Sequence, residues 1–316
     1  MTSITLDFMK QFLSKSVKNT YNRNKLIGLR AEIELRNTLN DMGFRNRISA
    51  GGWISRSTEN NNFGHKTVVV FPQTITPEIS YSPDRPLEEP PRGLHTICAT
   101  MHQLGIFSYH CVPTIVVQND YHSIKWDATQ LGVPFSDTYH EFPQILSGFM
   151  PRRRRHNFLN NNADISSIPD AAIPDLFSKE HLRVSLQNKL MTETVDIDGI
   201  FWGERYTYPI EIKEKTPAND PRLGKYFGLD IGPFVKLAFY AAKKGNLHSL
   251  FIVREINNTE ERNLVNWWFI TFDKLAQYAS WNFQGGGKNM EGGRSAVVKI
   301  PMAEFTLMDE ASLKCL

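Results

Sequence analysis

The sequence predicts a mixed α/β protein, in which a β-sheet is flanked by helices and a large insertion interrupts the core. Three features indicate this class: an amphipathic helix near the start, short β-branched strands, and a β-hairpin followed by a helix and an apolar strand. The 316 residues, 41% of them hydrophobic, suffice for one large domain or two smaller ones. The 11% aromatic content argues against disorder, and the 17 scattered prolines argue against a coiled-coil rod.

The first core helix is predicted over residues 27–42, where apolar side chains recur every three or four positions. Gly43 follows as a C-terminal cap. A first strand is predicted at residues 67–71, Thr-Val-Val-Val-Phe, from its β-branched composition. Residues 1–71 are therefore assigned to an N-terminal helical part of the core.

Residues 72–180 are predicted to form the insertion. Six prolines lie between Pro72 and Pro91, which indicates an irregular path. Within the remainder, one strand is predicted at residues 113–117 and a polar loop at residues 157–170.

Residues 181–316 are assigned to the catalytic core. Residues 195–202 begin with polar and apolar alternation and residues 207–213 return after a Gly-Glu-Arg turn, so the two segments predict a β-hairpin. The elements expected after it are a polar loop to Gly232, a helix from Pro233 to Gly245, a buried strand at 250–253, a strand at 267–272, a helix at 273–280 and a glycine-rich loop.

The net charge of +3 is small but unevenly distributed. Ten Lys or Arg and three acids lie between Lys10 and Arg56, and four arginines stand together at 152–155, which suits a polyanionic partner. No apolar stretch is long enough to cross a membrane, so no membrane partner is expected. Three widely spaced cysteines favour a reducing, cytoplasmic location.

The predicted hairpin carries the residues with the clearest chemistry. Glu211 and Lys213 lie two apart on one strand and share a face, while Ile210 and Ile212 share the other. The hairpin can bring Asp198 beside Glu211, and two adjacent carboxylates repel each other unless a cation lies between them. Hard oxygen ligands completed by water suit Mg²⁺, and a neighbouring ammonium adds positive charge for a reacting phosphate.

The D-x(12)-E-x-K arrangement resembles the PD-(D/E)XK nuclease superfamily, to which most type II restriction endonucleases belong. The resemblance covers residues 26–44 and 194–256. It implies a restriction-endonuclease-like core in which Asp198, Glu211 and the carbonyl of Ile212 are Mg²⁺ ligands. It also implies that Lys213 orients the attacking water.

The resemblance further implies an acid from the first helix, with Glu32 as the candidate and Glu34 as the alternative. One position departs from the family, which often has proline before the first aspartate, whereas this chain has Ile197. Asp196, predicted to lie on the same strand face as Asp198, is therefore an alternative for its role.

The expected function is sequence-specific cleavage of double-stranded DNA by a Mg²⁺-dependent type II restriction enzyme. The insertion is the expected site of target recognition, because a core of this size needs further loops to reach base edges. Cutting both strands of a symmetric site calls for a homodimer. The residues expected to contact DNA phosphates are Arg152, Arg153, Arg154, Arg155, Lys215, Arg222 and Lys225.

Two other functions remain open from the sequence. One is a structure-selective nuclease, such as a Holliday-junction resolvase or a repair nuclease. The other is a catalytically inactive nuclease-like protein that only binds DNA.

Overall fold

The computed structural model of the chain describes residues 2–16, 22–45, 47–57, 67–90, 92–103, 106–132, 138–153, 157–166, 168–241, 248–278, 280–285 and 296–316. The chain divides into two units. The first unit comprises Met1–Ile33 and Ala50–Ile197, and the second comprises Glu34–Ser49 and Asp198–Leu316.

A seven-stranded mixed sheet forms the centre of the first unit. Its strands are β1 (Gly52–Ser57), β2 (Thr67–Pro72), β3 (Ile106–Ile115), β4 (Ile124–Leu131), β5 (His140–Phe142), β6 (Met150–Pro151) and β7 (Leu190–Ile197). Their order is β5-β4-β3-β2-β1-β7-β6, and only β2 and β3 pair in parallel. The strand predicted at residues 67–71 is confirmed as β2.

Three helices belong to the first unit: α1 (Leu6–Ser16), α3 (Arg92–Gln103) and α4 (Ile173–Lys189). Helix α2 (Asn22–Asp41) contributes its residues up to Ile33 to the first unit and those from Glu34 to the second. The helix predicted at residues 27–42 is confirmed as α2, although it begins five residues earlier. Gly43 follows it with φ +87°, the left-handed conformation that a glycine cap adopts.

The described part of residues 72–180 is a regular part of the first unit. It supplies strands β3 to β6, helix α3 and the first half of α4, which is more regular structure than the single strand that the sequence predicts there. The irregular path after Pro72 and the polar loop after Asn157 are confirmed. The chain passes from one unit to the other after Ile33, Ser49 and Ile197.

Helix α4 is unusual because it buries polar as well as apolar side chains. Leu176 and Phe177 pack into the core, and the next three residues, Lys179, Glu180 and His181, are also buried. Buried charges need partners. Lys179 Nζ donates to Glu32 Oε2 at 2.8 Å, and Glu180 forms an ion pair with Arg183.

His181 is held as a neutral imidazole by two hydrogen bonds. Trp126 Nε1 donates to His181 Nδ1 at 2.9 Å, so this nitrogen is the acceptor. His181 Nε2 then donates to the carbonyl of Tyr121 at 2.8 Å. Burial lowers the pKa of His181 to about 4, against the opposing effect of the hydrogen bond to Tyr121.

We expect this histidine to make the first unit less stable in mild acid. Between pH 6.5 and about 4 the unfolded chain binds a proton at residue 181 that the folded chain does not, so the free energy of unfolding falls as the pH falls. The contribution lost between pH 7 and pH 4 is about 3 kcal/mol. In urea titrations at the two pH values, the variant His181→Gln should lose less stability than the wild type. Equal losses of stability in both proteins would contradict the low pKa of His181.

The second unit contains a five-stranded mixed sheet. Its strands are β8 (Gly199–Trp202), β9 (Thr207–Lys215), β12 (Leu250–Ile256), β13 (Leu264–Thr271) and β16 (Thr306–Leu307), in the order β16-β13-β12-β9-β8. Strands β9 and β12 are parallel, and the other pairs are antiparallel. The predicted hairpin is confirmed as β8–β9, and the predicted strands at 250–253 and 267–272 are confirmed within β12 and β13.

A second sheet in this unit replaces the polar loop that the sequence predicts before Gly232. Its strands are β10 (Ala218–Asp220), β11 (Gly224–Asp230), β14 (Ser280–Gly285) and β15 (Ala296–Pro301), in the antiparallel order β10-β11-β15-β14. The alternation of buried Phe227 and Leu229 with less buried neighbours explains β11. That prediction is therefore wrong.

Three helices complete the second unit: α5 (Ile231–Ala241), α6 (Phe272–Tyr278) and α7 (Glu310–Leu313). The first two confirm predicted helices. Phe234 and Leu237 of α5 pack with Phe251 and Val253 of β12 in one apolar cluster, which fixes α5 against that face of the five-stranded sheet. Gly245 and the glycine-rich segment 286–295 lie outside the described residues.

Within the described ranges, the fold contains no helix that is long and apolar enough to cross a membrane.

Candidate active site

The β8–β9 hairpin brings the predicted carboxylates together. Its register pairs Gly199 with Ile210, so Asp198, one residue before β8, lies opposite Glu211 when the register is extended by one step. The turn that joins the strands is tight at Gly203, where an added Cβ would approach the carbonyl carbon of Leu316 to 2.6 Å. A side chain at this position would displace the chain end from the hairpin.

Glu211 is the centre of the site. Its side chain is only 3% exposed, yet each of its two carboxylate oxygens contacts an ammonium group. Lys213 Nζ lies 2.7 Å from Oε1, and Lys236 Nζ forms an ion pair with Oε2. Glu211 and Lys213 share a face of β9, as the sequence predicts. The buried carboxylate of Glu211 thus has an ammonium partner on each oxygen.

Asp198 contributes a second carboxylate beside the same lysine. Its Oδ2 accepts a hydrogen bond of 2.6 Å from the backbone N–H of Ile212, so the aspartate is fixed against β9 where β8 no longer pairs with it. Burial lowers the pKa of Lys213, but the carboxylates of Glu211 and Asp198 outweigh it and raise the pKa above its ordinary value. Lys213 is therefore an ammonium throughout the neutral range.

Lys236 is the site residue that the sequence analysis missed. It lies on α5 beside Leu237, in a helix whose other inward side chains are apolar, and its side chain is only 15% exposed. A lysine on the apolar side of a short helix is the signal that could have indicated a buried partner. Nothing in the sequence names Glu211 as that partner.

Asp230 is a further acid that the sequence analysis did not single out. It is the last residue of β11. Burial lowers the pKa of Lys215, and the negative charge of Asp230 opposes this effect without outweighing it. Lys215 thus lies on the face of β9 that carries Glu211 and Lys213, partly buried and next to an acid.

The opposite face of β9 carries a separate charge network. Arg254 of β12 donates from Nε to Glu34 at 2.6 Å and from Nη1 to Glu214 at 2.7 Å, and Arg262 also pairs with Glu214. Glu214 alternates with Glu211 along β9 and so points away from it. Glu34, the alternative first-helix acid, is thereby engaged on the face opposite Glu211.

The other first-helix acid and the alternative aspartate belong to the first unit. Glu32 is buried and forms the ion pair with Lys179. Asp196 lies in β7 opposite Trp53 of β1, whereas Asp198 lies in the break between the end of β7 at Ile197 and the start of β8 at Gly199. The expected continuous strand from 195 to 202 is thus interrupted at residue 198.

The basic residues predicted to contact DNA have different environments. Arg222 and Lys225 are exposed at the β10–β11 hairpin. Arg152 Nε donates to the carbonyl of Gln187 at 2.5 Å and its guanidinium lies 6.0 Å from the Phe158 ring, while Arg153 is exposed. Arg154 and Arg155 lie outside the described residues.

The oxygen donors of Asp198 and Glu211 fit the chemistry of Mg²⁺, which takes one or two protein carboxylates and completes its shell with water. Among the residues that the structure describes, no three or more His, Cys, Asp or Glu side chains gather closely enough to hold a metal ion. An ion at this position would therefore depend on the two carboxylates, a backbone carbonyl and water.

Comparison with known proteins identifies no relative: no family model, no curated protein and no solved structure matches the chain.

Proposed function

We propose that the chain is a Mg²⁺-dependent, sequence-specific endonuclease that hydrolyses double-stranded DNA in the manner of a type II restriction enzyme. The observation that carries this proposal is the pair of buried carboxylates, Asp198 and Glu211, held around the ammonium of Lys213. Perturbed pKa values and clustered acids and bases concentrate at functional sites, and this group combines two buried carboxylates with a lysine whose pKa they raise.

Each residue of the site would have its own role in phosphodiester hydrolysis. Asp198, Glu211 and the carbonyl of Ile212 would hold Mg²⁺, which supplies Lewis-acid stabilisation of the charge that develops on a reacting phosphate. Lys213 is 34% exposed at its side chain, so its ammonium can reach both Glu211 and a bound solvent molecule. It would orient the attacking water and face the phosphate oxygens with a fixed positive charge.

The mixed sheet of the second unit supports a restriction-endonuclease-like core. The β8–β9 hairpin precedes helix α5, and β12 then pairs in parallel with β9, which is the order of elements expected of that core. Symmetric cleavage of both strands would require two such sites, and a homodimer would supply them.

Digestion of a plasmid of known sequence tests this function. Discrete fragments with Mg²⁺ and none with EDTA are the expected result. Cleavage confined to branched DNA would instead identify a structure-selective nuclease. Binding to DNA without cleavage under any divalent cation would identify an inactive nuclease-like protein.

Exposed basic residues should make DNA binding dependent on salt. Each phosphate contact contributes about one unit to the slope of log affinity against log salt concentration. We expect Arg222→Gln and Lys225→Gln each to reduce this slope by about one unit in fluorescence anisotropy titrations. Arg152→Gln serves as the comparison and should change the slope less, because its guanidinium is already bonded to Gln187. A slope unchanged in all three variants would exclude the β10–β11 hairpin from the interface.

A further inference from the structure

We propose that Lys236 is a built-in counter-ion of Glu211 that a divalent cation must displace in order to bind. This inference rests on the proposed function, because it concerns the same carboxylates. It adds a positioning residue from α5 to a site that the sequence predicts on the hairpin and the first core helix.

Both oxygens of Glu211 already have cationic partners. Lys213 occupies Oε1 and Lys236 occupies Oε2, and the glutamate side chain is buried. An ammonium in direct contact with a carboxylate oxygen takes up one of its lone pairs and repels a metal ion that approaches the same oxygen. A metal ion that binds Glu211 therefore competes with an ammonium at either oxygen.

The charges around Glu211 lead to the same conclusion. Asp198 and Glu211 carry two negative charges, and Lys213 and Lys236 carry two positive charges, so these four groups are balanced without a metal ion. A divalent cation added to the undisturbed group would leave a net charge of +2 in a mostly buried place, where solvent screens it weakly. If one ammonium moves away, the net charge of the group with its divalent cation falls from +2 to +1.

The ammonium that we propose to move is that of Lys236, although its side chain is 15% exposed and that of Lys213 is 34% exposed. Lys213 extends from the same strand as Glu211 and is also attracted by Asp198, which fixes it within the site. Lys236 reaches Glu211 from α5. The preceding residue, Val235, is 57% exposed, so Lys236 lies at the edge of the buried face of the helix. A four-carbon side chain at such a margin can turn its ammonium toward water.

The test is a titration of the full-length chain with Mn²⁺ in the absence of DNA, with the free ion followed by electron paramagnetic resonance. We expect Lys236→Met to bind Mn²⁺ about tenfold more tightly than the wild type, because the competing charge is gone. Lys236→Arg keeps the charge and should bind as the wild type does. Lys274→Met removes an exposed lysine from α6 and controls for net charge.

Two more variants complete the design. Glu211→Gln combined with Lys236→Met should lose the gain in affinity, since the released ligand is absent. Lys236→Gln removes the charge but keeps a polar contact, and it replaces the methionine variant if that protein does not fold.

The outcomes separate this inference from the nuclease proposal. Equal or weaker Mn²⁺ binding by the uncharged variants, with cleavage of DNA intact in the wild type, would overturn the role of Lys236 alone. Tighter binding without cleavage of any DNA would support Lys236 and reject the nuclease. A failure of every variant to bind Mn²⁺ or Mg²⁺ would reject both.

Discussion

Lys213→Met is expected to slow Mg²⁺-dependent cleavage of DNA by at least about a hundredfold, the usual loss when one preorganised charge that faces the transition state is removed. The side chain lies beside Glu211 and is partly exposed, so its loss removes a positive charge without opening a core cavity. Glu211 keeps its ion pair with Lys236, which limits the cost to stability. The measurement is the initial rate at which supercoiled plasmid disappears at saturating protein.

The comparison with Glu211→Gln sharpens this experiment. That variant should also lose cleavage, but it leaves two ammonium groups beside a neutral amide in a mostly buried site, so a lower melting temperature is expected. Lys274→Met is the matched surface control and should cleave at the wild-type rate. Wild-type rates in Lys213→Met, with folding checked by circular dichroism, would remove this lysine from the chemistry.

Local signals in the sequence predict the hairpin and the strand face of its charged residues. Glu211 and Lys213 are two apart, and a strand turns alternate side chains to the same side. The turn before Thr207 and the apolar run at 250–253 are equally local features, and each predicted element formed there. Periodicity suffices wherever one face of an element is uniformly apolar.

Spacing along the chain does not predict the role of a residue where tertiary contacts determine it. In α4, three consecutive buried polar residues, Lys179 to His181, obscure the helical period, because their partners come from distant segments. Lys236 is visible as part of a helix, but only the packing of α5 on the sheet brings it to Glu211. Long-range pairing of charges has no sequence period and therefore cannot be predicted from spacing.

Glu34 is a second residue whose role depends on a long-range contact. It lies on the first core helix, where the resemblance implies an acid, yet its partner is Arg254, 220 residues further along the chain. Spacing from Glu32 or Arg36 carries no information about that contact. Its position on the far side of β9 makes it part of the scaffold that supports the strand.

Arg254→Met should be the most destabilising of the charge substitutions, at about 3 kcal/mol. The Arg254 side chain is 3% exposed, and its guanidinium joins Glu34, Glu214 and the carbonyl of Arg262 at 3.0 Å. Its removal leaves Glu214 buried with one cation in place of two, and a buried carboxylate that loses a partner keeps the cost of desolvation. Urea titration at neutral pH measures the loss.

Two matched variants decide whether the charge or the geometry matters. Lys314→Met breaks an ion pair that is 60% exposed on both side chains, and it should change stability by less than about 0.5 kcal/mol. Arg254→Lys keeps the charge, but a single ammonium cannot reproduce the planar fork that donates to Glu34 and Glu214 from different nitrogens. We therefore expect an intermediate loss for Arg254→Lys. If Arg254→Met lowered the free energy of unfolding no more than Lys314→Met does, the charge network around Arg254 would not stabilise β9, the strand that carries Glu211.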